Sequence, residues 1–122
     1  MPASGIVMSP IRDVLVINFA QAAIVDASAI DAVRDELLGV VDASARRKVV
    51  VDFSEVRFLS SALLGVLVDL DAHVRDLRGE LVLCGLRPEL HKVFRITRLD
   101  KRLRFVKNEA KALARFGVHV QR

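Results

Sequence analysis

The chain has 122 residues, 52% of them hydrophobic, and its six aromatic residues are all Phe. A chain of this size and composition buries a core without disulfides or a structural metal, which excludes a largely disordered protein. Since Trp and Tyr are absent, Val, Leu, Ile and Ala must form that core, as they do in sheets covered by helices.

The net charge of +4 is unevenly distributed. Residues 1–86 carry 8 Lys and Arg against 12 Asp and Glu, whereas residues 87–122 carry 11 against 3. Such a basic third binds nucleic acid, an acidic partner or anionic lipid, or it is only a solvated helix face. The charge pattern by itself leaves these alternatives open.

Several features predict a cytoplasmic protein. No apolar run reaches about 18 residues without a charge, which predicts no membrane span. The N-terminal segment MPASGIVMSP lacks the basic residues and the long apolar stretch of a signal peptide. A lone cysteine, Cys84, cannot form an internal disulfide and fits a reducing compartment.

Two strands and a helix are predicted first along the chain. Residues 5–8 form a short edge strand, joined through Pro10 to a second strand over residues 11–19, which is rich in β-branched residues. From Asp26 onwards the apolar residues recur at helical spacing, which predicts a helix capped by Asp26 or Ser28. Its apolar stripe comprises Ile30, Val33, Leu37, Leu38 and Val41.

The central part of the chain predicts a strand, a helix and another strand. Residues 48–53 are apolar at consecutive positions, which indicates a strand covered on both faces. A second helix follows over residues 61–77 and ends at Gly79, and residues 80–84 form the next strand. The apolar stripe of this helix comprises Leu63, Leu64, Leu67, Leu70, Val74 and Leu77.

The remaining elements complete an α/β pattern. Pro88 suits the first position of a third helix that reaches about residue 98. Residues 103–107 predict a final edge strand, and Asn108 caps a fourth helix over residues 109–116, before a loose tail of residues 117–122. The order β-β-α-β-α-β-α-β-α predicts an α/β fold, with one domain over residues 1–122 and its core at about 6–116. Its mixed sheet has four to five strands, mainly parallel, and about four helices.

The sequence holds little that points to catalysis. No two histidines have metal-ligand spacing with each other or with Cys84, and the serines of Leu-Ser-Ser-Ala lack the Gly-x-Ser-x-Gly turn of hydrolases. The glycines form no phosphate-binding loop, and Gly65 is expected to allow close packing of its helix on the sheet. Cys84 ends an apolar strand and is expected to be a buried, inert thiol. We therefore expect no enzyme and no bound cofactor or metal.

The pair Ser60–Ser61 stands where a loop runs into the second helix. Backbone N–H groups are free there and the helix dipole is positive, so a hydroxyl can cap the helix or carry a phosphate. Ser60 is the predicted cap, which contributes about 1 kcal/mol. Ser61 then lies exposed in the first turn, where a phosphate adds about −1.5 to −2 charges without unfolding the domain.

The segment DFSEVRFLSSALLGVLVDL resembles the signature of STAS domains, the fold of bacterial anti-sigma factor antagonists. The family pattern is Asp-hydrophobic-Ser-x-Val-x-Phe-hydrophobic-Asp-Ser-Ser/Thr-Gly-Leu-Gly, and the predicted order of strands and helices is also the family's. The resemblance spans about residues 6–116. The matching positions are Asp52, Phe53, Ser54, Val56, Phe58, Leu59, Ser61, Leu64 and Gly65.

This resemblance implies a transcription regulator whose partner is an anti-sigma factor with serine kinase activity. Ser61 matches the serine that the kinase phosphorylates. The unphosphorylated antagonist binds the anti-sigma factor and frees the sigma factor, and the phosphorylated one releases its partner. The resemblance also implies partner binding through residues 22–26, the turn before Ser61 and the helix after it. The residues concerned are Asp26, Ser54, Glu55, Ser60, Ser61, Ala62, Leu63, Asp69 and His73.

Three positions depart from the family pattern. Ser60 replaces an aspartate, Ala62 replaces a residue with a hydroxyl group, and Leu63 replaces a glycine. Loss of the aspartate removes a negative charge beside the hydroxyl that would accept the phosphate. Leu63 is either an exposed apolar contact for the partner or a core residue, and the sequence leaves both open.

Other functions also stay open. Within the same family, the domain serves without a phosphorylation switch as a scaffold or adaptor subunit of a stress-signalling or lipid-transport complex, and homodimerisation is open too. Nucleic-acid binding through the basic third is a further alternative, although no nucleic-acid partner is expected, because interleaved aromatic residues are nearly absent. That patch would comprise Arg95, Arg98, Lys101, Arg102 and Arg104.

Overall fold

The computed structural model describes residues 6–19, 23–24 and 27–119. In that part of the chain the strands are β1 (Ile6–Ile11), β2 (Val14–Phe19), β3 (Ala23–Ile24), β4 (Lys48–Asp52), β5 (Phe58–Leu59), β6 (Glu80–Cys84) and β7 (Arg104–Val106). The helices are α1 (Ala27–Ser44), α2 (Ser61–Asp76), α3 (Pro88–Ile96) and α4 (Glu109–Arg115), with a 3₁₀ turn over Leu99–Lys101.

Five strands form one sheet in the order β1-β2-β4-β6-β7. β1 pairs antiparallel with β2, while β2, β4, β6 and β7 run parallel to their neighbours. Each of α1, α2 and α3 connects two successive parallel strands, because parallel pairing requires a crossover. The mixed five-stranded sheet with four helices confirms the predicted fold class.

The two faces of the sheet bury different clusters of side chains, because successive residues of a strand point to opposite faces. On one face, residues such as Leu15, Val49 and Leu81 pack with α1, α2 and α3. On the other face, Val16 and Val50 pack with α4. All five side chains are at most 1% exposed. Coverage of both faces explains the continuous apolar run of β4, as predicted.

The first hairpin turns at Arg12 and Asp13, so the predicted connection through Pro10 is wrong. Pro10 lies inside β1, opposite Leu15. A proline is tolerated there because β1 is an edge strand, where one side of the backbone needs no partner. Arg12 takes the left-handed conformation (φ 55°) that a tight hairpin turn requires.

A second, two-stranded sheet was not predicted. β3 and β5 pair in parallel, with residue 23 opposite Phe58 and residue 24 opposite Leu59. Each strand is only two residues long, too short for hydrophobic periodicity to reveal it. This pairing ties the segment after β2 to the segment that leads into α2.

A residue with left-handed backbone closely follows the end of each of the four helices, and only α4 uses glycine there. The residues are Ala45, Arg78, Arg98 and Gly117. After α2, the Arg78 N–H bonds the Arg75 carbonyl at 2.9 Å and the Gly79 N–H bonds the Val74 carbonyl at 2.8 Å, the pattern of a Schellman motif. Arg78, and not the predicted Gly79, therefore takes the left-handed conformation that ends α2. Gly79 is constrained differently, because a side chain there would overlap the carbonyl oxygen of Arg47.

Val118, which follows α4, packs more closely than predicted. Val118 is 6% exposed and lies in the same apolar cluster as α4. Its N–H donates to the Leu113 carbonyl at 2.8 Å. The expectation that the tail is loose from residue 117 is therefore wrong at Val118, and residues 120–122 lie outside the described residues.

Candidate functional site

α2 begins at Ser61, directly after Ser60, whose backbone is extended. The Ser60 hydroxyl accepts a hydrogen bond from the Leu63 N–H at 3.3 Å, which confirms the predicted N-cap. Ser61 is exposed. The first turn of α2 contains no acidic residue, so no side-chain charge there compensates the positive end of the helix dipole.

The turn after β4 is held by a buried carboxylate. Asp52 is 7% exposed, and its Oδ1 accepts a hydrogen bond from the Ser54 N–H at 2.8 Å. Gly85 lies so close that a Cβ added there would be 2.5 Å from the same oxygen. This arrangement fixes Ser54 and Glu55, both exposed, at the carboxyl end of β4.

The short segment before α2 exposes an aromatic ring. Phe58, in β5, is 60% exposed, whereas Val56 is fully buried. Pairing of β5 with β3 fixes the backbone of Phe58. Phe58 therefore presents an exposed aromatic ring three residues before Ser61, and Phe is among the side chains enriched at protein–protein interfaces.

The outer side of α2 beyond Ser61 is formed by small residues. Ala62 and Gly65 are exposed, and a Cβ added at Gly65 would meet no atom of the described residues within 4 Å. The prediction that Gly65 allows close packing on the sheet is therefore wrong. Two residues turn a helix by about 200°, which places Gly65 opposite Leu63 and Leu67.

Leu63 is a core residue. Its side chain is 0% exposed and packs in the cluster that contains Leu67 and Leu70. Of the two alternatives that the sequence left open, an exposed contact for the partner is therefore wrong. Leucine at this position extends the inner apolar stripe of α2 by one turn.

Two further predicted residues connect α2 to α1. Asp69 Oδ2 lies 3.3 Å from Arg34 Nε, and His73 Nε2 lies 2.6 Å from Asp42 Oδ1. Both sit further along α2 than Ser61, and their role in partner binding stays a prediction. Asp26, the remaining predicted contact, lies outside the described residues.

Groups suited to catalysis are scarce in the described part of the chain. There, no group of three or more His, Cys, Asp or Glu residues is placed to hold a metal. Cys84 is buried, as predicted, and burial raises the pKa of its thiol, which Asp52 and Glu109 raise further. The thiol is therefore protonated at neutral pH and a weak nucleophile. None of the described helices is long and apolar enough to cross a membrane.

Three features of this site were missed from the sequence. The outward position of Gly65 follows from its helical spacing from Leu63, so that signal was present. The Asp52–Ser54 turn also has a signal, since Asp side chains often bond the backbone two residues on. The exposure of Phe58 has none, because it depends on pairing with β3.

The STAS domain family matches residues 6–112, from β1 into α4. The chain belongs to the STAS domain family. Among relatives of this STAS domain is BtrV of Bordetella bronchiseptica, a candidate anti-sigma factor antagonist, with 42% identity over 62 residues. That alignment covers 51% of this chain and 53% of BtrV, so the chain matches about half of the relative's length.

Solved structures of low sequence identity share the fold of this STAS domain. TM1081 from Thermotoga maritima, a candidate anti-sigma factor antagonist, has a TM-score of 0.79 at 15% identity. The match covers 90% of this chain and 92% of the TM1081 chain. The anti-sigma factor antagonist SpoIIAA of Bacillus is known in unphosphorylated and phosphorylated forms, with TM-scores of 0.69 and 0.68 at 17% and 19% identity. The two SpoIIAA matches cover 92% and 91% of this chain, and 97% and 98% of SpoIIAA.

Two of the departures from the signature, Ser60 and Leu63, have defined places in this STAS domain. Ser60 caps α2, a role that aspartate also performs well. The change therefore keeps the start of the helix and removes one negative charge beside Ser61. Leu63 is accommodated in the core, so the helix proceeds without the glycine of the family pattern.

Proposed function

We propose that this STAS domain is an anti-sigma factor antagonist that binds an anti-sigma factor of the serine kinase type and is switched by phosphorylation of Ser61. The observation that carries the proposal is the exposed Ser61 at the first position of α2, in a chain that belongs to the STAS family. The names of BtrV and SpoIIAA support the same class of protein.

The choice of Ser61 over Ser60 rests on their different surroundings. Ser60 is half-buried and its hydroxyl is already engaged by the Leu63 N–H, so it is less accessible to a kinase than Ser61. Ser61 is exposed, and a phosphate there gains from the helix dipole and the free N–H groups of the first turn. Ser61 is therefore the residue that can be modified while the fold persists.

The partner binds a surface that we call the Ser61 surface, which consists of exposed residues around the start of α2. Gly65 and Ala62 permit close approach of the partner, and Phe58 supplies an apolar anchor. The surface comprises Ser54, Glu55, Phe58, Ser61, Ala62 and Gly65. Cytoplasmic location and transcription regulation follow from this proposed role.

Phosphorylation acts as a switch through electrostatics. A phosphate adds about −1.5 to −2 charges to the centre of the Ser61 surface. If the partner offers no cation there, repulsion and desolvation disfavour the complex by several kcal/mol. Because Ser61 is exposed, the same charge leaves the core of the domain unchanged.

Nucleic-acid binding is the less supported alternative. Arg104 pairs with Glu80 at 3.0 Å, and Phe94 is fully buried. Phe105 packs edge-on against Phe94 with ring centroids 5.1 Å apart. Phe94 therefore offers no face on which a base can stack, and Phe105 is half-buried.

The proposal is tested with the candidate anti-sigma factor kinase of the same organism and ATP. We expect mass spectrometry to find one phosphate on the wild type, on Ser61, and none on Ser61→Ala. Ser61→Asp should weaken binding of the anti-sigma factor by about tenfold or more, equivalent to about 1.4 kcal/mol. Calorimetric titration measures this affinity.

Two control variants make the result specific. Ser60→Ala loses the cap and about 1 kcal/mol of stability, yet it should still be phosphorylated. Ala114→Asp adds the same charge as Ser61→Asp on the exposed side of α4, on the other face of the sheet, and should bind normally. Tight binding that never responds to ATP would contradict the switch and favour a scaffold or adaptor role.

A further inference from the structure

A cleft opens between α3 and β7, which we call the α3–β7 cleft. Its volume of about 430 Å³ is within the range of clefts that hold ligands, about 300–1,000 Å³. β6 separates β7 from β4, the strand that leads to the Ser61 surface. The cleft and the Ser61 surface share no residue. Side chains that line it include Leu86, Pro88, His91, Arg95, Phe105 and Lys107.

The floor of the cleft is apolar and preformed. Phe105 is half-buried and contacts Phe94 edge-on, with centroids 5.1 Å apart and an interplanar angle of 68°. The ring of His91 also packs edge-on against Phe105, with centroids 5.2 Å apart. Together with Leu86, the ring of Phe105 therefore offers a fixed apolar surface, and little ordering is needed on binding.

The rim of the cleft is basic and uncompensated. Arg95 and Lys107 are exposed, and neither forms an ion pair with another described residue. By contrast, Arg104 on the neighbouring strand is held by Glu80 at 3.0 Å. No Asp or Glu of the described residues lines the cleft. The positive charge of the cleft therefore suits an acidic group of a ligand.

The cleft also adjoins a free sheet edge. β7 pairs only with β6 in the described sheet and ends its strand order. An edge strand carries backbone N–H and carbonyl groups without a partner, onto which an extended segment can add. An extended segment along β7 would place one side chain in the cleft and neighbouring ones at its rim.

We propose that the α3–β7 cleft binds an extended, acidic segment of a partner protein, with an apolar side chain seated against Phe105 and carboxylates facing Arg95 and Lys107. Nucleic acid fits less well, because phosphates leave the apolar floor unfilled. A lipid headgroup fits less well because a cleft of this size beside a strand edge favours an extended chain. This inference is independent of phosphorylation at Ser61.

The test uses short fluorescein-labelled peptides in which an adjacent apolar pair, Leu-Phe or Ile-Leu, is flanked by Asp and Glu on both sides. Fluorescence anisotropy should show saturable binding to the wild-type chain. Combining Arg95→Glu with Lys107→Glu should weaken binding by about tenfold or more, because each reversal replaces attraction by repulsion. The Gln substitutions at both positions should weaken it less, and circular dichroism checks that each variant is folded.

A matched control reverses charges outside the cleft. Lys92→Glu with Lys111→Glu alters two exposed lysines of α3 and α4 and should change affinity by less than about twofold, because salt screens charges that lie outside the cleft. Ser61→Asp should also bind the peptide normally, which separates this result from the proposed switch. A peptide with Ser-Ser in place of the apolar pair should bind far more weakly.

Several outcomes would overturn the proposal. These are no binding of any acidic peptide, equal losses in the matched control, and equal affinity for the Ser-Ser peptide. Tighter binding of a single-stranded oligonucleotide, or of phosphatidylglycerol vesicles, with the same dependence on Arg95 and Lys107 would assign the cleft to nucleic acid or to lipid instead.

Discussion

The carboxyl group of Asp71 lies on the inner side of α2 and is only 6% exposed, with Arg75 Nε 3.0 Å from its Oδ2. Burial raises the pKa of this carboxyl group above its ordinary value of 3.8, and the charges of Arg75, Arg102 and Arg104 offset only part of that effect. The ionised form of Asp71 is therefore less favourable in the folded protein than in the unfolded chain.

The raised pKa of Asp71 predicts a pH-dependent stability difference. The native state binds this proton more tightly than the unfolded chain, so ionised Asp71 lowers the free energy of unfolding at neutral pH. That penalty fades as the pH falls through the folded pKa towards 3.8. Asp71→Asn should therefore be more stable than the wild type at pH 7, and the difference should shrink towards pH 4. Urea unfolding followed by circular dichroism at several pH values measures it.

Asp69→Asn is the matched control for this measurement, since Asp69 lies on the same helix and its side chain is 54% exposed. Its ion pair with Arg34 is a surface pair, worth about 0–1 kcal/mol. The Asp69→Asn variant should keep the pH dependence of the wild type. A stability gain of Asp71→Asn that grows in acid would contradict the assignment.

At the scale of elements, α2 has two distinct sides. Its inner stripe of Leu63, Leu67 and Leu70 is fully buried, whereas Gly65 is exposed and nothing approaches the position of its missing side chain. Glycine within a helix is unfavourable by about 1 kcal/mol relative to alanine. None of the described residues packs against this glycine, and the proposed function uses it as a point of close approach for the partner.

Substitutions at Gly65 separate stability from binding. Gly65→Ala should raise the free energy of unfolding by about 1 kcal/mol, as measured by urea unfolding. Gly65→Leu should also fold, yet it should weaken binding of the anti-sigma factor by about tenfold or more because the side chain enters the docking surface. Calorimetric titration measures that affinity.

Gly39 in α1 offers the matched control, because it is also exposed and a Cβ there would meet no atom of the described residues within 4 Å. Gly39→Ala should stabilise by a similar amount, and Gly39→Leu should bind the anti-sigma factor normally. Normal binding by Gly65→Leu would remove Gly65 from the Ser61 surface.

At the scale of the whole molecule, Cys84 is enclosed between the sheet and α4. It is 0% exposed and shares its cluster with Ala112 and Leu113. A reagent therefore reaches the thiol only when the structure opens, and burial also keeps the thiol protonated.

Thiol reactivity should therefore report unfolding of the domain. We expect Ellman's reagent to react very slowly with the native chain and rapidly above the urea midpoint. The rise in thiol reactivity should coincide with the unfolding transition measured by circular dichroism. Ala114→Cys adds an exposed thiol on α4. This thiol should react at once in the native protein, which shows that the reagent detects an accessible cysteine. Rapid reaction of Cys84 in the native protein would show that α4 opens separately from the sheet.

Local chemistry made much of the fold and part of the site predictable. β6, both N-caps at Ser60 and Asn108, and Pro88 at the start of α3 follow from propensity and capping rules. The two-residue turn at Arg12 and Asp13 contains no glycine, so the usual signal of a tight hairpin is missing. The pairing of β5 with β3 joins segments that are distant in sequence, which no local pattern carries. The burial of Leu63 was decided by the inner stripe of α2, whose spacing the sequence already contained.

The left-handed residues that follow α1, α2 and α3 bear on tolerance to heat. Ala45, Arg78 and Arg98 each occupy a backbone conformation that disfavours L-residues with a side chain by about 1–2 kcal/mol. Glycine, which α4 already has at Gly117, adopts it freely. None of the three residues belongs to the Ser61 surface or lines the α3–β7 cleft. Glycine at these helix ends alone would therefore raise the melting temperature of a lineage that moves to a hotter habitat, and the two proposed binding surfaces would stay unaltered.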